Sequence, residues 1–341
     1  MARWPARKRL AAAIVEDMYE TDSKNTRALA LHTRAAPGRD STAAIEVIGL
    51  SKRYGATVAV EDLSFTASYG RIVGFLGPNG AGKTTTLRAL LGLIRPTAGT
   101  ATIDGRPYAQ LPDPVSIAGA MLDGGALHPG RSGRSHLRVL ARAAGVPDSR
   151  AETLLSLVGL ESAAGRRAGG YSLGMRQRLG LAAALIGDPK VLVLDEPANG
   201  LDPQGMLWLR HLLRSLAAEG RAILISSHVL AEVTQTVDDI VVISSGRSVL
   251  QAPLEQVLTE HAAGTRVTGP DTGRLGDLLR AEGAHVVPEG RGAISIRDRS
   301  EEHILRVIAA SQLIVSEVSP AGSSLEEIYL QLTGNPDGGT S

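Results

Sequence analysis

The chain of 341 residues contains no cysteine. Disulfides, thiolate metal sites and cysteine nucleophiles are therefore excluded. Aromatic residues amount to only 3%, and arginine far outnumbers the five lysines, Lys8, Lys24, Lys52, Lys83 and Lys190. No apolar run approaches the roughly 20 residues that a spanning helix needs. The stretch 179–187 is among the longest and falls well short. At the N-terminus, Arg3, Arg7, Lys8 and Arg9 precede a brief apolar run that Glu16 and Asp17 close, too short for a signal peptide. The chain is thus expected neither to span nor to cross a membrane on its own. An excess of one charge is also missing. With 36 basic and 35 acidic residues the formal net charge is +1, which disfavours a nucleic-acid-coating role.

Hydrophobic residues make up 43% and charged residues 21%, a globular composition, and the length suits about two domains. Residues 1–44 show no sustained period, are broken by Pro37-Gly38, and read as a disordered tail. From 45 to 264, strand-like runs (45–48, 63–66, 71–76, 191–194, 222–226, 239–244) mix with helical spacing (83–93, 135–144, 151–158, 173–186, 204–218, 228–236). That order predicts an α/β domain whose mostly parallel sheet is covered on both faces. The pattern changes at 265–341. Strand, helix (273–281), strand (284–288), strand (293–297), helix (301–311) and strand (314–318) give β-α-β-β-α-β, a small α+β ferredoxin-like domain, before a last helix at 324–332.

Gly77-Pro78-Asn79-Gly80-Ala81-Gly82-Lys83-Thr84-Thr85 fits G-x-x-x-x-G-K-[ST] between a strand and a helix, as a P-loop requires. The glycines let the backbone fold tightly so that its N–H groups meet a phosphate, and the helix N-terminus adds partial positive charge there. Lys83 is placed to reach the β- and γ-phosphates, and Thr84 to ligate Mg²⁺. None of the five lysines sits in an Asn/Thr-Lys-x-Asp guanine signature, so the base reads as adenine and the nucleotide as ATP. A second cluster closes the apolar run 191–194 with Asp195 and Glu196. Ligands in parallel sheets gather at the carboxyl ends of strands. Asp195 reads as the holder of Mg²⁺ through its water shell, and Glu196 as the group that polarises the attacking water.

With these motifs in order, the chain resembles the nucleotide-binding subunits of ABC transporters over about 45–263. The resemblance implies a P-loop NTPase core of ABC type with a helical subdomain. It also implies roles that composition and spacing do not reveal. Tyr54, in Lys52-Arg53-Tyr54-Gly55, matches the aromatic that stacks on adenine. Ser172 and Gly174, in Tyr171-Ser172-Leu173-Gly174-Met175, match the signature that closes over the γ-phosphate of a second subunit. Asp202, in Gly200-Leu201-Asp202, matches the loop that crosses the dimer interface, and His228 the histidine at the γ-phosphate. The family signature reads Leu-Ser-Gly-Gly-Gln; here Leu173 and Met175 depart from it. Where the family has glutamine after the strand at 117–122, this chain has Asp123, which cannot donate a hydrogen bond when ionised.

These departures resemble exporters linked to antibiotic-peptide or anthracycline efflux and immunity. The resemblance implies an ATPase at the cytoplasmic face of the cell membrane. Its partners would be an integral-membrane permease and a second copy, joined through an ATP sandwich. A drug, antibiotic peptide or lipid-like compound is the implied cargo, and the 265–341 domain is expected to tune dimer closure or pairing. The alternative is an ABC ATPase acting on ribosomes or DNA. Ribosome-acting relatives carry two ATP modules and repair relatives long coiled coils, neither of which is present.

Overall fold

The computed structural model describes residues 43–122, 127–261, 264–290, 292–320, 325, 328 and 329. Two compact units divide between Gln251 and Ala252, earlier than the 264/265 boundary read from sequence. The division falls inside a strand, where neither composition nor turn residues mark it.

The first unit opens with β1 (Ala43–Tyr54), β2 (Thr57–Ser68) and β3 (Ile72–Leu76), followed by α1 (Lys83–Leu90) and β4 (Ala98–Ile103). Next come α2 (Pro114–Ile117), β5 (Ala118–Met121), α3 (Gly133–Ala143), α4 (Ser149–Leu157) and α5 (Leu173–Ala184). It continues with β6 (Val191–Asp195), α6 (Pro203–Ala218), β7 (Ala222–Ser227), α7 (Leu230–Thr234), β8 (Asp239–Ser244) and β9 (Arg247–Pro253). Six strands form one sheet in the order β5-β6-β7-β3-β8-β9, with β5 to β8 paired in parallel. Strands β3, β6 and β7 are buried at every position, as a sheet covered on both faces demands.

The runs at 45–48 and 63–66 do not join that sheet. They belong to β1 and β2 of a separate antiparallel sheet, ordered β2-β1-β4. Only Gly55 and Ala56 link β1 to β2. Two residues can make a hairpin, whereas a parallel crossover needs a dozen or more. Between the sheets lies the core, where Phe65 and Phe75 stack with ring centroids 5.1 Å apart beside Ile45, Leu87 and Leu90. Each fully buried side chain of this size contributes about 1.5–3 kcal/mol of transfer free energy.

The second unit contains α8 (Leu254–His261), β10 (Thr265–Thr268), α9 (Thr272–Ala281), β11 (His285–Pro288), β12 (Ala293–Arg297), α10 (Glu301–Ala310) and β13 (Glu317–Pro320). Its antiparallel sheet runs β11-β12-β10-β13, the ferredoxin-like order. Val267, Leu275, Leu279, Ile296 and Ile304 form its core. The last strand starts later than the 314–318 reading. Ile314 is 67% exposed, and its N–H donates to the Asp271 carboxylate at 2.8 Å, so it belongs to the preceding loop. Residues 325, 328 and 329 are helical; the rest of the helix read at 324–332, and the tail 1–42, lie outside the described residues.

Candidate nucleotide site

Strand β3 delivers the chain to the loop 77–82, and α1 starts at Lys83. The turn into the helix requires glycine. Gly82 has φ +104°, and a Cβ there would stand 2.5 Å from the Ala59 carbonyl oxygen. Asn79, Gly80, Gly82, Lys83, Thr84, Thr85 and Glu196 line a cavity of 180 Å³. Gly77 and Pro78 contribute carbonyls instead. The Lys83 ammonium donates to them at 2.7 and 3.2 Å, respectively. Ala81 is buried and links the loop to the β8–β9 turn through its carbonyl, which accepts from Gly246 N at 3.1 Å.

Lys83 is buried, and burial pulls its pKa below the usual 10.5 while Glu196 and Asp195 oppose the shift. Its ammonium lies 3.7 Å from Glu196 Oε1. Thr84 Oγ1 donates to Asp195 Oδ2 at 2.8 Å, which joins the P-loop to the end of β6. The other oxygen, Asp195 Oδ1, accepts from the Ser226 hydroxyl. Glu196 follows with φ +51°, a left-handed conformation uncommon outside glycine, which turns its side chain off the strand. Its Oε2 is 2.6 Å from His228 Nδ1, and His228 lies in the loop between β7 and α7, not in the helix read at 228–236. Lys83, Thr84, Asp195, Glu196 and His228 are therefore brought together at one place.

The remaining site residues stand apart from this cavity. Tyr54 is 48% exposed at the end of β1 and does not line it; the Lys52 ammonium lies 4.8 Å from its ring centroid. Ser172 caps α5 by accepting from Met175 N at 3.2 Å. Gly174 faces the Gly200 carbonyl. Leu173, which replaces a family glycine, packs on Gly200, whose φ is +76° and where any Cβ would stand 2.2 Å from Leu173 Cδ2. Asp202 caps α6 through Gly205 N at 2.8 Å. Asp123 lies outside the described residues.

Ser226 escaped the sequence reading. The signal was a serine at the end of an otherwise apolar strand, at a position that alternation buries. As for metal, the Thr84 hydroxyl and the Asp195 carboxylate are hard oxygen donors that suit Mg²⁺. Among the described residues no group of three or more His, Asp or Glu could hold an ion alone.

A family model described as "ABC transporter" matches residues 60–199. The chain is 38% identical over 303 residues to Nod factor export ATP-binding protein I of Burkholderia orbicola, covering 86% of this chain and 98% of that protein. The chain belongs to the ATP-binding proteins of ABC transporters. To the bacitracin transport ATP-binding protein BcrA of Enterococcus faecalis it is 34% identical over 297 residues, covering 85% of this chain and 96% of the relative. Among solved structures it resembles the ATP-binding subunit of an ABC transporter, with a TM-score of 0.58 and 30% identity over 64% of this chain and 93% of that one. A domain of unknown function, DUF8746, matches residues 250–326 of this ABC protein. It is an ATPase by family, and no helix among its described residues is long and apolar enough to cross a membrane.

Proposed function

We propose that this ABC protein hydrolyses ATP to power an exporter, and that two copies close on two nucleotides. The observation that carries the hydrolytic part is the convergence of Lys83, Thr84, Asp195, Glu196 and His228 at the carboxyl ends of β3, β6 and β7. Loop N–H groups and the start of α1 bind the phosphates. Lys83 leaves the Gly77 and Pro78 carbonyls to meet the terminal phosphates. Thr84 and Asp195 would hold Mg²⁺, which would supply positive charge against the phosphates. Glu196 orients a water against the γ-phosphorus and takes its proton as the bond to the ADP oxygen breaks. His228 holds the Glu196 carboxylate and reaches towards the γ-phosphate.

The lining of the cavity supports the dimer reading. Ser172 and Gly174 do not line it, yet Ser172 and Leu173 are exposed at the start of α5. A second copy that brings this helix N-terminus over the phosphates supplies donors on the open side. Loss of the γ-phosphate then weakens the closed state. Tyr54, half exposed, stacks on adenine, and Asp202 crosses between the copies. The names of the relatives, which refer to bacitracin transport and Nod factor export, support an exporter working beneath an integral-membrane permease at the cytoplasmic face.

Glu196→Gln is expected to bind ATP and lose turnover by roughly 100-fold. Turnover near the wild-type rate would overturn the role of Glu196. The same variant, tagged and captured with ATP from mildly solubilised native membranes, should bring down a polytopic membrane protein. Recovery of ribosomal proteins or nucleic acid without one would overturn the transport role.

A further inference from the structure

Ser226 is fully buried at the end of β7, and it is the strand-register partner of Asp195 on β6. Its hydroxyl has one proton to give and lone pairs to receive with. Asp195 as a carboxylate can only accept, so the proton goes from Ser226 Oγ to Asp195 Oδ1. Ser226 Oγ in turn accepts the Glu196 backbone N–H at 3.0 Å. One hydroxyl therefore touches both acids. It occupies Oδ1 and leaves Oδ2 to face Thr84. It also supplies the hydrogen bond for an N–H that the left-handed turn at Glu196 takes out of the strand ladder. Two residues further on, His228 grips the Glu196 carboxylate.

We propose that Ser226 is a positioning residue for ATP hydrolysis. It sets the rotamer of Asp195 and the turn at Glu196 together, and ties both to the His228 loop. The inference rests on the hydrolytic role proposed above for Asp195 and Glu196. Loss of the hydroxyl frees Asp195 to rotate away from Thr84 and takes from the half-buried Glu196 N–H its acceptor. Both faults lie at the reacting end of the nucleotide, so they fall on turnover and on the Mg²⁺ requirement, not on grip of the base or of the loop.

The full chain carrying Ser226→Ala, Ser226→Thr or Glu196→Gln is compared with wild type. Turnover is measured against ATP and Mg²⁺, and binding of a fluorescent trinitrophenyl-ATP against Mg²⁺. For Ser226→Ala, kcat should fall about tenfold or more while KM for ATP stays within about threefold. Half-saturation of analogue binding should need more Mg²⁺. Ser226→Thr keeps the hydroxyl and should recover both. Should the alanine variant fail to fold, Ser226→Cys keeps a side chain of similar shape with only a weak donor, and should show the same pattern. Wild-type kcat and Mg²⁺ dependence in the alanine or cysteine variant would overturn the proposal. So would equal damage in Ser226→Thr with analogue binding lost, which marks a packing role. An inactive Glu196→Gln beside a normal Ser226→Ala would sink this inference alone. A fully active Glu196→Gln would sink the hydrolytic assignment on which it rests.

Discussion

The two ends of the nucleotide machinery are built on opposite principles. At the P-loop end, Lys83, Asp195 and Ser226 are buried, and their polar atoms are bonded within the chain. At the signature end, Ser172 spends its oxygen on its own helix, Asp202 does the same at α6, and Leu173 is 53% exposed. Buried polar groups are costly unless satisfied, so the first end must be prearranged before ligand arrives. The second end has no such demand, because water satisfies it. One end is thus fixed within the chain, and the other is open to solvent. What joins them inside the chain is packing. Leu173 sits on Gly200, four residues past Glu196.

The sharpest way to break this contrast is Lys83→Ala. It removes a buried cation at the phosphates and leaves the Gly77 and Pro78 carbonyls without their donor. ATP binding measured by equilibrium dialysis should weaken by roughly 100-fold or more, and turnover should vanish. Normal binding would mean that the P-loop end is not the primary grip. Ser172→Asp tests the other end with a smaller effect. Aspartate still offers an N-cap oxygen, so thermal stability should hold. Binding of ATP to the separate chain should stay within about twofold, while ATP-driven dimerisation and turnover drop about tenfold or more as the new carboxylate meets the triphosphate. Equal loss of monomer binding would show that Ser172 acts in its own chain.

This contrast also explains what could be read before any coordinates. The P-loop was legible because its geometry is local: glycine spacing, a preceding strand and a following helix all lie within one short segment. Asp195 and Glu196 were legible because the fully apolar run before them announces a buried parallel strand. Ser226 was not, since its role depends on the register that sets β7 beside β6 and brings residues 226 and 195 level. The small antiparallel sheet was hidden for a related reason. The runs at 45–48 and 63–66 look like any other strand, and only the two-residue link between β1 and β2 distinguishes a hairpin from a crossover. Tyr54, Ser172 and Asp202 are singled out by resemblance alone, and their own surroundings show capping and exposure.

The smallest expected effect concerns the helical segment α3–α5 that bears the signature. His136 on α3 is buried, its Nδ1 has no hydrogen-bond partner, and burial together with Arg131 lowers its pKa below the usual 6.5. In acid the unfolded chain therefore takes up a proton that the folded segment resists. The unfolded state binds more protons there, so stability rises with pH and is lost as pH falls through the ordinary histidine range. One proton limits the slope to about 1.4 kcal/mol per pH unit. Urea unfolding at pH 7 and pH 5 should show the decrease, and His136→Leu should flatten its histidine part. Hydrogen exchange should place the acid-induced opening in α3–α5 before β3 and β6. At the P-loop end the lowered Lys83 pKa bears on binding as well, because loss of its charge in alkali weakens the grip on phosphate. Acid that loosens both ends equally, or a His136→Leu chain with an unchanged pH slope, would erase the distinction between a prearranged grip and an exposed cover.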